Sequence, residues 1–388
     1  MLNKITIKNY KSLENVSLTL RPFNVFIGPN NAGKSNILDC LGFLSELMTP
    51  PQQQITTVEK AMRPRGGFPY VVWGGDVNRS ISIDLCVSLA DPAGKGKRQY
   101  HFYIEVRGSR LGSTVSALRL TCKVNSNWRS LLDVQPERWT ALDIEGKELN
   151  LEPQGGAEWW LGAFPYLPSA HSAFAKYIQG WRFYNFVPSR MEQVLPVRKD
   201  LSLQHEGENL SVVLHSLHSG YRREFGEIEE LARVGVPEIE ELLTELTDQG
   251  QTYTTLREQG VALNIPAWSM SDGTLRFLAH LAAVYSPTPP LLMAFEEPEN
   301  NIHPRLHELL ADVLRAASKR SQILVATHSP HFLDYRRFDL DDLVIVEKAE
   351  GKTQCKKLSK KRKADVKDAL KVLTLGEMWY SGHLGGVP

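Results

Sequence analysis

Apolar and polar positions alternate along residues 3–9 and again from Val16 to Leu20, which predicts two half-buried strands. A short apolar run, Phe23 to Ile27, follows as a third predicted strand. Ile37, Leu38, Leu41 and Leu44 then recur at helical spacing, so a helix is expected from Lys34 to Leu47, stopped by Thr49-Pro50-Pro51. Residues 52–75 read as loop, punctuated by Arg63-Pro64-Arg65-Gly66-Gly67 and Trp73-Gly74-Gly75. Strand patterns resume at Ile81 to Leu89, Tyr100 to Val106 and Ala117 to Val124, in an antiparallel-looking section. Helical periodicity covers Asn209 to Leu217 and Tyr221 to Leu246, the acidic runs Glu224 to Glu230 and Glu238 to Glu245 reading as a solvated helix face. Leu291 to Phe295 and, within Gln322 to Thr327, Ile323-Leu324-Val325-Ala326 are apolar runs of the kind buried on both faces of a parallel sheet. The helix predicted between them, Pro304 to Ala317, has proline at its first position and completes a βαβ unit. No sustained heptads and no internal repeat are present.

The expected organisation is a bipartite core of residues 1–75 and 265–348, an antiparallel section at 76–150, an aromatic and helical insertion at 151–264, and a basic tail at 349–388. The insertion opens with Trp159, Trp160, Phe164, Tyr166, Trp181, Phe183, Tyr184 and Phe186. Without interleaved basic residues these read as core packing in preference to base stacking.

Composition adds bounds. The 388 residues are 42% hydrophobic and 23% charged with a net charge of +1, so nucleic-acid binding would have to be local. Cys40, Cys86, Cys122 and Cys355 lie far apart without ligand spacing, which argues against a zinc site and a disulfide framework and for a reduced, cytoplasmic setting. Neither a membrane-spanning apolar run nor a signal peptide is seen.

The chemistry is concentrated in a few stretches. Gly28-Pro29-Asn30-Asn31-Ala32-Gly33-Lys34-Ser35 matches G-x-x-x-x-G-K-[ST] between a predicted strand and a predicted helix, the context of a phosphate-binding loop. Backbone N–H groups from Asn30 to Asn36 would face an ATP triphosphate, aided by the helix N-terminus. Lys34 would reach the β- and γ-phosphates and the Ser35 hydroxyl would ligate Mg2+. Glu296 and Glu297 end a predicted parallel strand, where ligands bind; Glu296 is assigned to the Mg2+ shell and Glu297 to orienting the attacking water. Ser271-Asp272-Gly273 opens a predicted helix as a second anion site, and His328 ends the next strand, placed to sense the γ-phosphate.

These motifs, in this order, resemble the ABC-type ATPase heads, and within them the RecF, SMC and OLD group. The opening Ile-Lys-Asn-Tyr-Lys-Ser, the Glu-Pro-Glu-Asn-Asn-Ile-His-Pro and the Thr-His-Ser-Pro stretches carry the likeness, over residues 1–48 and 265–348. The resemblance implies an α/β P-loop NTPase fold with a mixed or parallel central sheet, an antiparallel section and an inserted helical lobe. It also implies a head-to-tail homodimer in which Ser271 and Gly273 contact the γ-phosphate held by the partner. Glu296 stands where the group usually has Asp, and the signature reads Ser-Asp-Gly where Ser-Gly-Gly is usual. Leu343 to Glu347 resembles the first strand of the Toprim nuclease module of OLD proteins, but too few residues follow for that module, so no nuclease is expected in this chain. The tail carries Lys352, Lys356, Lys357, Lys360, Lys361, Arg362, Lys363, Lys367 and Lys371, which would meet nucleic-acid phosphates, an acidic partner or solvent. The functional expectation is an anti-phage defence ATPase acting with a separate effector, possible nuclease; the alternatives are a DNA-repair or chromosome-maintenance ATPase and a non-catalytic ATP-gated scaffold.

Overall fold

The computed structural model describes residues 1–50, 56–91, 94, 96–151, 156–334 and 338–385. The chain forms two compact units. Residues 1–22, 28–181 and 344–357 make the first, and residues 23–27, 182–343 and 358–388 the second.

A seven-stranded antiparallel sheet dominates the first unit, in the order Leu13–Thr19, Leu2–Tyr10, Ile81–Ala90, Lys97–Gly108, Ser113–Val124, Asn127–Gln135 and Arg138–Ala141. Its strands keep the two-residue alternation that the sequence shows: Ile83, Leu85, Val87, Phe102 and Ile104 face a core, while Asp84, Cys86, His101 and Tyr103 occupy the other face. Phe174 packs on that core with ring centroids 5.0 Å from Phe102 and 5.8 Å from Tyr100. Trp160, Phe164 and Trp181 are buried too, each such ring contributing on the order of 2 kcal/mol by leaving water. Tyr166, 82% exposed, is the exception to the packing role expected for these aromatics. The expected helix occupies Lys34–Leu47.

Part of the stretch read as loop is helical. Thr56 caps the helix Thr57–Met62 by accepting from the Glu59 N–H at 3.1 Å, and Val58, Ala61 and Met62 are buried. Residues 51–55, including part of the same stretch, lie outside the described residues.

Four parallel strands form the heart of the second unit, in the order Phe23–Ile27, Gln322–Thr327, Leu292–Glu296 and Arg182–Tyr184. Phe23–Ile27 and Gln322–Thr327 are buried at every position, which explains their largely apolar character, with Asn24, Gln322 and Thr327 as buried polar positions. The Pro304–Ala317 helix connects the two middle strands as expected.

The helical reading of residues 221–246 is corrected in its second half. Helix Arg222–Gly235 ends at Gly235-Val236-Pro237, and Ile239–Leu246 is a strand paired antiparallel with Gln251–Glu258. A register shift between Ile239 and Glu241 adds one residue to that strand. The bulge turns Ile239 and Leu242 to the same side, both buried, so a strand acquires the three-residue spacing of a helix. Glu238 to Glu245 therefore flank and decorate a strand.

Candidate ATP site: the phosphate loop and the paired acids

In the first unit Gly33 closes the loop at φ +107°, the left-handed conformation that permits the abrupt entry into the Lys34–Leu47 helix. A Cβ on Gly33 would lie 2.0 Å from the Thr353 hydroxyl, and one on Gly28 would lie 2.1 Å from the Val346 carbonyl oxygen. Both glycines are needed because the Leu343–Ala349 and Lys352–Lys356 hairpin presses on the loop. Polar contacts reinforce it. Asn36 Nδ2 donates to Ser12 Oγ at 2.7 Å, the Ser12 and Thr353 hydroxyls are 2.7 Å apart, and Thr353 Oγ1 donates to the Ala32 carbonyl at 2.8 Å. Since Thr353 has one proton to give, Ser12 must donate to Thr353, and the chain of bonds runs in one direction from Asn36 to Ala32. Lys348 Nζ reaches Asn31 Oδ1 at 3.3 Å, with Asn31 itself at φ +63°.

Lys34 is buried, 6% exposed, and its ammonium donates to the carbonyls of Gly28 at 2.7 Å and Pro29 at 3.0 Å. Its charge is thus held inside the curve of the loop. Ser35 is exposed on the helix's first turn, as are Asn30 and Asn31 in the loop, while Ala32 is buried.

In the second unit Glu296 is the last residue of its strand, level with Ala326 in the neighbouring one. Glu297 leaves the strand at φ +45°, its N–H donating to the Ala326 carbonyl at 2.7 Å. Glu297 Oε1 lies 2.8 Å from His328 Nδ1, and Glu297 Oε2 accepts from the Asn300 amide. Two predicted residues are thereby brought together, with Asn300 added by the turn. Glu299 is 5% exposed; its Oε1 accepts from the Thr327 hydroxyl and its Oε2 is buried with no partner. Burial, with repulsion from Glu297 beside it, pushes the Glu299 carboxyl up to about 7.

Ser271 caps the Asp272–Val284 helix, its hydroxyl accepting from the Thr274 N–H at 3.1 Å. Asn301 Nδ2 donates to Asp272 at 3.2 Å, and a Cβ on Gly273 would lie 2.6 Å from the Asn301 carbonyl oxygen. Gly273 therefore lets this helix start dock against the turn that follows the paired acids. Ser271 and Asp272 remain exposed on a cavity of about 800 Å³ also lined by Gly273, Asn301 and His303. Asn300, Glu299 and Thr327 sit inside motifs visible in the sequence, whereas Thr353 gives no local signal because its partners are more than 300 residues away.

A buried parallel sheet carrying paired acids at its strand ends, with a Gly-rich loop capping a helix, defines an ATPase of the ABC type, in the RecF, SMC and OLD group. Residues 23–334 match the family described as "AAA domain, putative AbiEii toxin, Type IV TA system", and the chain belongs to that family. A curated relative, an OLD nuclease of Thermus scotoductus, is 23% identical over 384 residues, covering 89% of this chain and 64% of that protein. The chain thus spans less than two thirds of the relative's length. Among solved structures, an Smc head bound to the C-winged helix domain of ScpA aligns with TM-score 0.56 at 14% identity, over 93% of this chain and 99% of that one. A second Smc head, with an extended coiled coil and the C-terminal domain of ScpA derived from Pyrococcus furiosus, aligns with TM-score 0.56 at 13% identity, over 95% and 99%. At such identities the likeness is one of fold.

Proposed function

We propose that the chain hydrolyses ATP with Mg2+, the phosphate loop holding the triphosphate and the Glu296–Glu297 turn supplying the acids that turnover needs. The observation that carries this reading is the Glu297 carboxylate at a parallel strand end, held by His328 at 2.8 Å and by Asn300. Each carboxylate oxygen keeps a second lone pair, so Glu297 remains able to accept from the water that attacks the γ-phosphate in line. Lys34 would exchange the Gly28 and Pro29 carbonyls for phosphate oxygens. The exposed Ser35 hydroxyl and the Glu296 carboxylate are hard oxygen donors suited to Mg2+, which when bound would offset charge on the phosphates. Exposure of Ser271 and Asp272 supports a head-to-tail homodimer in which this helix start completes the partner's site. We place its action in the cytoplasm; among the described residues no helix is long and apolar enough to cross a membrane.

The test is ATP turnover with separately measured nucleotide binding. Lys34→Ala is expected to lose both, whereas Glu297→Gln keeps binding and loses turnover by roughly two to four orders of magnitude. A Glu297→Gln protein that hydrolyses ATP at the wild-type rate would overturn the role given to Glu297, and a wild type that binds ATP without turnover would leave only the ATP-gated scaffold. The fuller reading is a defence ATPase that works with a separately encoded effector, and the nuclease named among its relatives supports a nuclease as that effector. A second reading, a DNA-maintenance ATPase, is favoured by the Lys360–Ala369 helix, where Lys360, Lys361, Arg362 and Lys367 are exposed. It predicts turnover stimulated by DNA and steeply weakened by salt.

A further inference from the structure

The polar face of the seven-stranded sheet carries a cluster that the spacing of cysteines in the sequence does not reveal. Asp84 and Cys86 are two residues apart on the Ile81–Ala90 strand and so share a face. His101 is the direct cross-strand partner of Cys86 on Lys97–Gly108. His101 Nε2 lies 2.8 Å from Asp84 Oδ2, and one donor atom from each of the three residues lies within 4.8 Å of the others. We propose that Asp84, Cys86 and His101 form a binding site for a single divalent transition-metal ion of the zinc type.

Three arguments support the assignment. The donor set is nitrogen, sulfur and oxygen, which suits a borderline ion such as Zn2+ and not the oxygen-seeking Mg2+ of the nucleotide site. The ligand bonds of zinc, about 2.0 Å to nitrogen or oxygen and about 2.3 Å to sulfur, place this tetrahedral donor set about 3.3–3.5 Å apart. The donors already stand within 4.8 Å of one another on strands fixed by a continuous register from Ile81 with Val106 to Ala90 with Lys97, so closing to that spacing would fall to the side chains. Access is open as well: the His101 side chain is 42% exposed and that of Asp84 35%. Lys4, opposite Cys86 on the neighbouring strand, is the nearby cation; it is exposed, and its flexible chain can turn into solvent. Three protein ligands leave a fourth position for water or an exogenous donor. Bound metal would fasten two central strands of the sheet.

The experiment uses the full chain, stripped of metal and titrated with Co2+ and with Zn2+ while nucleotide is absent. A thiolate-to-cobalt charge-transfer band at one equivalent per chain is expected, together with a rise in Tm on adding Zn2+. Cys86→Ser should abolish the band, and His101→Gln should weaken Zn2+ binding by about tenfold or more. Cys355→Ser and Glu297→Gln, which leave the cluster untouched, should change neither. Absence of the band, its survival in Cys86→Ser, or its loss in Cys355→Ser would overturn the proposal. Any Co2+ taken up at the nucleotide site lacks a thiolate ligand and gives no such band. If Cys86→Ser fails to fold, His101→Gln carries the test through the Zn2+ shift in Tm.

Discussion

The Thr353 hydroxyl donates to the Ala32 carbonyl at 2.8 Å, joining the phosphate loop to a strand more than 300 residues later in the chain. The Thr353 N–H also donates to the Ser12 carbonyl at 2.8 Å, so one residue holds the loop from its side chain and its own position from its backbone. Loop shape in this unit is consequently a property of the hairpin as much as of the Gly-rich motif. Thr353→Val keeps the side-chain volume but leaves the Ala32 carbonyl and the Ser12 hydroxyl without that partner. A loss of about 1–3 kcal/mol in stability is expected. The KM for ATP should rise, and Thr353→Ser should restore it; denaturant melts and steady-state kinetics provide the check.

Gly33→Ala should be more damaging than the loss of any one of these hydrogen bonds. The residue sits at φ +107°, and a Cβ there would overlap the Thr353 hydroxyl at 2.0 Å. A Gly33→Ala, Thr353→Ala double variant relieves the overlap with the hydroxyl but leaves the Cβ 2.9 Å from Ser12 Oγ and keeps the backbone strain, which costs on the order of 1–3 kcal/mol. Nucleotide binding is therefore expected to be lost in the single variant and only partly regained in the double one, as calorimetry with a non-hydrolysable ATP analogue would reveal.

His328 stands 2.8 Å from Glu297 and orients the carboxylate assigned to the attacking water. His328→Ala removes that restraint while Asn300 still holds the other oxygen. Turnover should fall by roughly one to two orders of magnitude, less than for Glu297→Gln, with ATP affinity nearly unchanged. An equal loss in both variants would instead assign His328 a direct part in the chemistry.

Much of this was legible because it is encoded locally. The Lys34–Leu47 and Pro304–Ala317 helices and the buried strands Phe23–Ile27 and Gln322–Thr327 follow from apolar spacing, the loop glycines and a proline at a first turn. What was hidden depends on pairing. A bulge gave Ile239–Leu246 the look of a helix, although Gly235 and Pro237 were available as stop signals. The alignment of Cys86 with His101 exists only once two strands are in register. Thr353 is an ordinary strand residue until the chain folds back on the loop.

His280 gives the second unit sensitivity to acid. Complete burial holds its imidazole down to about 3, against an ordinary 6.5, while it packs edge-on to Phe186 at 4.9 Å. Between those pH values the unfolded chain binds a proton that the folded one refuses. Its contribution is thus present above pH 6.5 and is lost as pH falls, with a slope of at most about 1.4 kcal/mol per pH unit. Urea melts from pH 7 to pH 4 should show this slope in a Glu299→Gln background, where the opposing titration of Glu299 is removed, and a shallower one when His280→Leu is added.

Glu299 acts in the opposite sense. Its carboxyl titrates at about 7 in the folded protein, against 4.5 for an unperturbed glutamate, because burial and the neighbouring Glu297 both disfavour its charge. The folded state then holds a proton that the unfolded state releases from pH 4.5 upward. Stability from this group is complete below pH 4.5, declines through the interval and is gone above pH 7, a fall on the order of 3 kcal/mol. Glu299→Gln mimics the protonated form and keeps the acceptor for the Thr327 hydroxyl. The variant is expected to match the wild type at pH 5 and to be the more stable of the two at pH 8, in melts without nucleotide or metal. Equal stability of the two proteins at pH 8 would show that Glu299 ionises without penalty and that its unpaired Oε2 is solvated in the folded chain.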